Sequence, residues 1–338
     1  MKTKYKMIGR RLYTYLFVSL LITNLGAQQP PKQDHLIAGK NERGLAENYL
    51  NDVNIQSDPA VIFASGFENG FEGWSTFDQN VSEIISSPDL ALAGNKVLKL
   101  TATRGVDTGG DVDYNIQPYQ DQVYLRFYTK LDKNTVTPHH FVKIFANPEG
   151  VHSPAGSKPP GDKAFWTGIE PTADNTWHFY TYWHEMNSWQ SREGTPDGRP
   201  NPYYGNVFGV PNQKPFKKGE WICVEAMVKV NTPGKNDGEQ AFYINGEKLG
   251  HWKSGKPLGE WYGDRFKMDG NLLQPFEGFN WRTSEDVRIN MITLRWYISD
   301  RHMTKATQDI NSAYFDNVVV STKYIGPMYN DKGPVLSK

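Results

Sequence analysis

Between Thr176 and Met186 the chain reads Thr-Trp-His-Phe-Tyr-Thr-Tyr-Trp-His-Glu-Met. Alternation along an extended strand sends His178, Tyr180, Tyr182 and His184 to one face, and Trp177, Phe179, Thr181 and Trp183 to the other. Two imidazoles and two phenols in one file supply hydrogen-bonding groups, proton carriers and flat apolar rings. Ordinary exposed sheets also carry polar-tipped aromatics. The file gains weight because other segments present similar ones, and together they suggest the floor of a carbohydrate-binding cleft.

Three further segments contribute. Val123 to Leu131 sends Val123, Leu125, Phe127 and Leu131 inward, leaving Tyr124, Arg126, Tyr128 and Lys130 outside. From His139 to Ala146, Val142, Ile144 and Ala146 point one way, and Phe141 and Lys143 the other. His139 and His140 therefore face opposite ways unless a bulge intervenes. In Met291 to Ser299, the residues Ile292, Leu294, Trp296 and Ile298 turn to the core, and Thr293, Arg295 and Tyr297 turn out.

The elements that must position these groups are strands. Val61-Ile62-Phe63, Val97 to Leu100, a hairpin from Trp221 to Ile244 closed over Asp237-Gly238, and Ala313 to Thr322 all read as extended. Asn245-Gly246 forms the next tight turn, and Gly278 to Thr283 reads as a late strand. Long Pro- and Gly-bearing stretches, 147–165 and 187–219, separate strands, and loops of that length are functional or disordered. No helical period persists, so the expected fold is all-β: a single-domain jelly-roll sandwich of two curved antiparallel sheets spanning residues 61–327. Residues 28–60 read as a flexible tether, and 328–338 as a tail.

Lysine plus arginine and aspartate plus glutamate number 37 each, so no global field points to nucleic acid or a membrane surface. A polyanion would have to be met by a local cluster of cations. Cys223 is the only cysteine, which excludes an intrachain disulfide and a cysteine-based zinc cluster. Residues 1–27, basic at Lys2, Lys4, Lys6, Arg10 and Arg11 and apolar from Leu12 to Leu25, read as a secretory signal. The expectation is an exported or periplasmic monomer without a membrane anchor.

Several blocks together resemble a family: Tyr124-Leu125-Arg126-Phe127-Tyr128, His139-His140-Phe141-Val142, Gly168-Ile169-Glu170-Pro171, Phe179 to Met186, and Phe315-Asp316-Asn317-Val318-Val319-Val320. The chain is similar to secreted polysaccharide-lyase-like proteins of concanavalin-like jelly-roll fold, the class of the fungal glucuronan lyases and their cellulase-co-expressed relatives. The resemblance implies cleavage of uronic-acid polymers by β-elimination. It also implies a structural calcium ion held by Glu68, the Leu92–Asn95 loop (Asn95 included) and Asp316. Carboxylate and carbonyl oxygens are the hard ligands that Ca²⁺ takes.

β-Elimination needs a cation to neutralise the uronate carboxylate, a base for the C5 proton and an acid for the leaving oxygen. On this reading Tyr182, His184, His139, Arg295 and Lys143 form the catalytic set. Arg126, Tyr128, His140, Tyr180, His178 and Tyr297 bind an acidic polysaccharide. A glycoside hydrolase would need a carboxylate pair; Glu170 and Glu185 are the candidates, but Glu185 has the wrong parity for the His–Tyr file. A non-catalytic binding module on the same fold is the other alternative.

Overall fold

The computed structural model describes residues 43–151 and 153–336. The expected leader and the first part of the tether lie outside these residues. Two large sheets dominate. One has eight strands, in the order Glu247–Trp252, Glu239–Ile244, Ile222–Lys229, Gln122–Leu131, Ile310–Ser321, Lys96–Thr103 and Ser82–Ser86, with Val61–Ser65 also pairing with Ile310–Ser321. We call it the covered sheet. The other has ten, in the order Gln274–Pro275, Leu258–Tyr262, Arg265–Lys267, Asn206–Gly209, Trp177–Tyr182, Phe165–Pro171, Val142–Ala146, Ile289–Tyr297, Gly109–Gln120 and Thr76–Phe77. We call it the open sheet. All its pairings are antiparallel except that of Asn206–Gly209 with Arg265–Lys267. The architecture is the expected all-β jelly roll.

Alternation builds the layer between the sheets. Val123, Leu125 and Phe127 from the covered sheet meet Phe141, Trp177, Phe179, Leu294 and Trp296, all essentially inaccessible. Rings bridge the layer: Phe127 and Phe141 lie 6.2 Å apart between centroids, and Phe179 and Phe242 5.0 Å apart. Such pairs add to the burial of the rings themselves. The Asn245-Gly246 turn forms as its residues demand, with φ of 51° and 81°.

Three expectations are corrected. Gly278 to Thr283 is not a strand; Phe279 makes an isolated bridge to Gly238 and stacks on Trp281 at 3.9 Å. The stretch 187–219 contains the strand Asn206–Gly209. Residues 43–60 are packed rather than tethered. Short 3₁₀ turns there bury Ala46 and Ile55 against Val319 and Ile325, on the outer face of the covered sheet.

That packing relocates two predicted binding residues. Arg126 and Tyr128 do point away from Leu125 and Phe127, as their parity requires, but they belong to the covered sheet. Arg126 is fully buried and pairs with Asp52. Tyr128 donates to the Val335 carbonyl at 2.6 Å and accepts from the Met328 N–H at 2.9 Å, so the chain end packs over it. Neither side chain is available to a substrate.

Candidate active site

The strand Trp177–Tyr182 buries Trp177, Phe179 and Thr181 and turns His178, Tyr180 and Tyr182 to the outer face of the open sheet. Its neighbour Phe165–Pro171 aligns Glu170 with His178, Gly168 with Tyr180 and Trp166 with Tyr182. Trp166 stacks on Tyr182 at 4.3 Å. Gly168 lets the Glu170 carboxylate fold back along the sheet, since a Cβ there would sit 2.8 Å from Oε1. On the next strand Lys143 faces Gly168 and holds its ammonium 4.1 Å over the Trp166 ring.

The two histidines before Val142 resolve the parity question. The His139 and His140 N–H groups both donate to the Tyr297 carbonyl, at 2.7 and 3.2 Å, and Tyr297 N–H donates back to the His140 carbonyl. Two residues opposing one is a β-bulge. It brings both imidazoles into one cluster, with centroids 4.4 Å apart, while Phe141 drops into the core. Tyr297 stacks on His140 at 5.9 Å, and His302 lies 5.1 Å from His139.

Two carboxylates organise the cations and imidazoles. Glu170 is buried, accepts at Oε1 from or donates to His140 Nδ1 across 2.8 Å, and has His178 Nε2 at 3.8 Å from Oε2. Asp111, on Gly109–Gln120, pairs with Arg295 through both carboxylate oxygens, with Nε to Oδ1 at 2.5 Å. A depression opens among Gly109, Gly110, Asp111, His140, Arg295 and Tyr297.

Burial sets the protonation states. It pushes His139 down to about 4 and His140 down to about 3, helped for His140 by the charges of Lys143 and Arg295, so both rings are neutral near pH 7. It pushes Glu170 up to about 7 against the pull of His178 and Lys143, and Lys143 down to about 8. Tyr180 and Tyr182 are both raised by burial. The two rings meet edge to face with centroids 5.6 Å apart, and Gly205 lies against the Tyr180 ring, where a Cβ would sit 2.6 Å from Cε1.

The structure thus gathers His139, His140, Lys143, His178, Tyr180, Tyr182, Arg295 and Tyr297 on one face. His184 is not in this group. The strand ends at Tyr182, and His184 sits in the following turn with its ring against Gly161. Its Nε2 is buried without a hydrogen-bond partner among the described residues. Glu185 is exposed on the same turn and accepts from Asn280 at 2.8 Å, while Glu170 lies buried beside His140 and His178. The sequence reading weighed Glu170 only as half of a hydrolase pair and missed Asp111, although alternation signals both. Glu170 shares the parity of Trp166, and Asp111 alternates with the core residue Val112.

The residues expected to hold calcium lie elsewhere. Asp316 is buried, accepts from the Leu92 and Ala93 amides at 2.8 and 3.3 Å, and is pushed up to about 7 by burial. Glu68 Oε1 accepts from the Asn95 and Lys96 amides at 2.7 and 2.8 Å, so Asn95 offers its N–H there rather than an oxygen. A cavity larger than the depression beside His140 opens next to them, lined among others by Gly66, Glu68, Asn69 and Glu72. Among the described residues no group of three or more His, Cys, Asp or Glu side chains converges as a metal site. No helix among them is long and apolar enough to cross a membrane.

No family model and no curated protein matches the chain. Solved structures do. An alginate lyase from a Chlorella virus aligns over 78% of this chain and 100% of its own, with a TM-score of 0.54 at 15% identity. The marine PL-14 alginate lyase from Aplysia kurodai aligns over 77% and 98%, with a TM-score of 0.50 at 12% identity. The fold is that of the alginate lyases. An endo-β-1,4-glucuronan lyase from the fungus Trichoderma reesei also aligns, over 78% and 95%, at 18% identity and a TM-score of 0.48. Within the alginate-lyase fold, the cluster on the open sheet is this chain's own concentration of proton carriers and cations.

Proposed function

We propose that the protein is a polysaccharide lyase that cleaves a uronic-acid-containing polymer by β-elimination on the outer face of the open sheet. The observation that carries this reading is the bulge at His139–His140. It sets two neutral imidazoles in one cluster with Lys143, Arg295 and the adjoining phenols of Tyr180 and Tyr182. Lys143 and Arg295 neutralise the substrate carboxylate, with Asp111 holding the guanidinium in place. His140 is the base in the tautomer whose Nδ1–H donates to the Glu170 carboxylate, which leaves Nε2 unprotonated to take the C5 proton. Tyr182 is the acid: burial raises its phenol, so it carries its proton near pH 7, and Trp166 stacks on its ring and positions it. The C5 proton passes to His140, the bond from C4 to the glycosidic oxygen breaks, and that oxygen takes the Tyr182 proton. The electron pair left at C5 forms the C4–C5 double bond.

The same reading assigns Glu68 and Asp316 to a structural calcium ion and residues 1–27 to export. Calcium is supported by the hard oxygen chemistry of Glu68, which lines the cavity, and by a buried Asp316 with no cationic partner among the described residues. The central test is incubation with a panel of uronic-acid polymers while ultraviolet absorbance is followed. An unsaturated product is expected. Tight polymer binding without that product would instead make this a carbohydrate-binding jelly roll, and new reducing ends without unsaturation would make it a hydrolase.

A further inference from the structure

We infer that the loop between Tyr182 and Asn206 carries a saccharide-stacking platform, built from Trp189, Tyr204 and Arg199, that binds the polymer outside the bond-breaking centre. The inference rests on the lyase reading for the identity of the polymer, though not for the platform itself.

Among the described residues Trp189 is the only tryptophan in an exposed position, at 38%. An indole gains more from burial than almost any other side chain, so a rigidly held exposed one calls for a reason. This one is held rigidly. Its Nε1–H donates to the Asn201 carbonyl at 2.8 Å, and its backbone N–H to Pro202. Buried Gln190 clamps the far side of the loop. Its amide donates to the Arg199 and Pro200 carbonyls at 2.9 and 3.2 Å, and its oxygen accepts from the Asp197 N–H at 3.0 Å. Asn206, fully buried on its strand, exchanges two hydrogen bonds with the Asn187 backbone and ties the loop to the open sheet. Buried polar groups are thus committed to keeping the indole at the surface.

The platform is continuous with the site. Trp166 stacks on Tyr182, and Trp189 packs 6.3 Å from Tyr204, whose chain neighbour Gly205 lies against the Tyr180 ring. Cations accompany the rings: Arg199 lies 4.6 Å from the Trp189 centroid, and Lys158 4.5 Å from that of Tyr203. Asp197 pairs with Arg199 and fixes its plane, so charge is the smaller part of the recognition. The apolar face of a pyranose on the rings, with its carboxylate near the guanidinium, is the chemistry this arrangement fits.

The test is calorimetry of Trp189→Ala and Trp189→Phe, both in a Tyr182→Phe background, with uronate oligosaccharides of increasing length. Affinity for the longest chains should fall by about tenfold or more in Trp189→Ala, as for loss of a central aromatic anchor, and Trp189→Phe should recover much of it. The loss should shrink with chain length and vanish for chains too short to reach the loop. Melting temperatures should match the Tyr182→Phe parent, because the indole is not part of the core. Equal affinity of the Trp189 variants and their parent at every length would overturn the platform and leave the lyase reading standing. Trp189-dependent binding of a neutral glycan, with no unsaturated product from any uronate polymer, would overturn the lyase reading and support the platform.

Discussion

Replacing Asp52 by Asn should destabilise the protein strongly while leaving polymer binding intact. Arg126 has no exposed side-chain surface, and Asp52 retains 7%. Both guanidinium NH₂ groups of Arg126 reach the Asp52 carboxylate, which also accepts from Asn317 at 3.0 Å. Asparagine keeps the shape and one acceptor but removes the countercharge from a guanidinium that water cannot reach. Stranding one member of a buried pair costs about 3–5 kcal/mol. With about 2–4 °C of melting temperature per kcal/mol for a large domain, the expected loss is roughly 6–20 °C. Thermal and urea melts measure it, with polymer binding assayed well below the transition. The double variant Asp52→Asn/Arg126→Met, which removes both charges, should recover most of the loss. A single variant that melted like the parent but lost polymer affinity would refute the reasoning, because Arg126 would then be a substrate cation and not a covered one.

Tyr182→Phe keeps the ring stacked on Trp166 and removes the acid, so turnover should fall by about a hundred- to ten-thousandfold with polymer binding nearly unchanged; full activity would show that the proton comes from elsewhere. Polymer affinity should decline as pH rises above about 7. Glu170, raised to about 7, becomes an anion facing the substrate carboxylate, and Lys143, lowered to about 8, then loses its charge. Calorimetry across that range checks this, and Glu170→Gln should remove the first limb of the decline; a flat profile in the parent protein would separate Glu170 from the substrate. A strong chelator should lower the melting temperature if Glu68 and Asp316 hold calcium, by up to the equivalent of about 2.7 kcal/mol where the ion stood at a hundred times its Kd. An unchanged melt would mean that the two carboxylates only cap the loop amides.

Alternation is a local property of an extended chain, and it was legible for that reason. The sequence alone separated Trp177 and Phe179 from His178, Tyr180 and Tyr182, and Leu125 and Phe127 from Arg126 and Tyr128, because successive side chains must point to opposite faces. Asn245-Gly246 likewise announced its own turn through residues that tolerate positive φ. Parity says nothing about which sheet a strand joins or what lies over its outer face. Those depend on pairings such as that of Gln122–Leu131 with Ile310–Ser321, and on residues 43–60 folding across the covered sheet. Arg126 and Lys143 therefore looked alike in sequence, yet one is sealed against Asp52 and the other stands over Trp166. The bulge at His139–His140 exists only because Tyr297, far along the chain, offers one carbonyl to two amides. Asp111 and Glu170 acquire their roles in the same way, from the cation and the imidazoles that the register sets beside them.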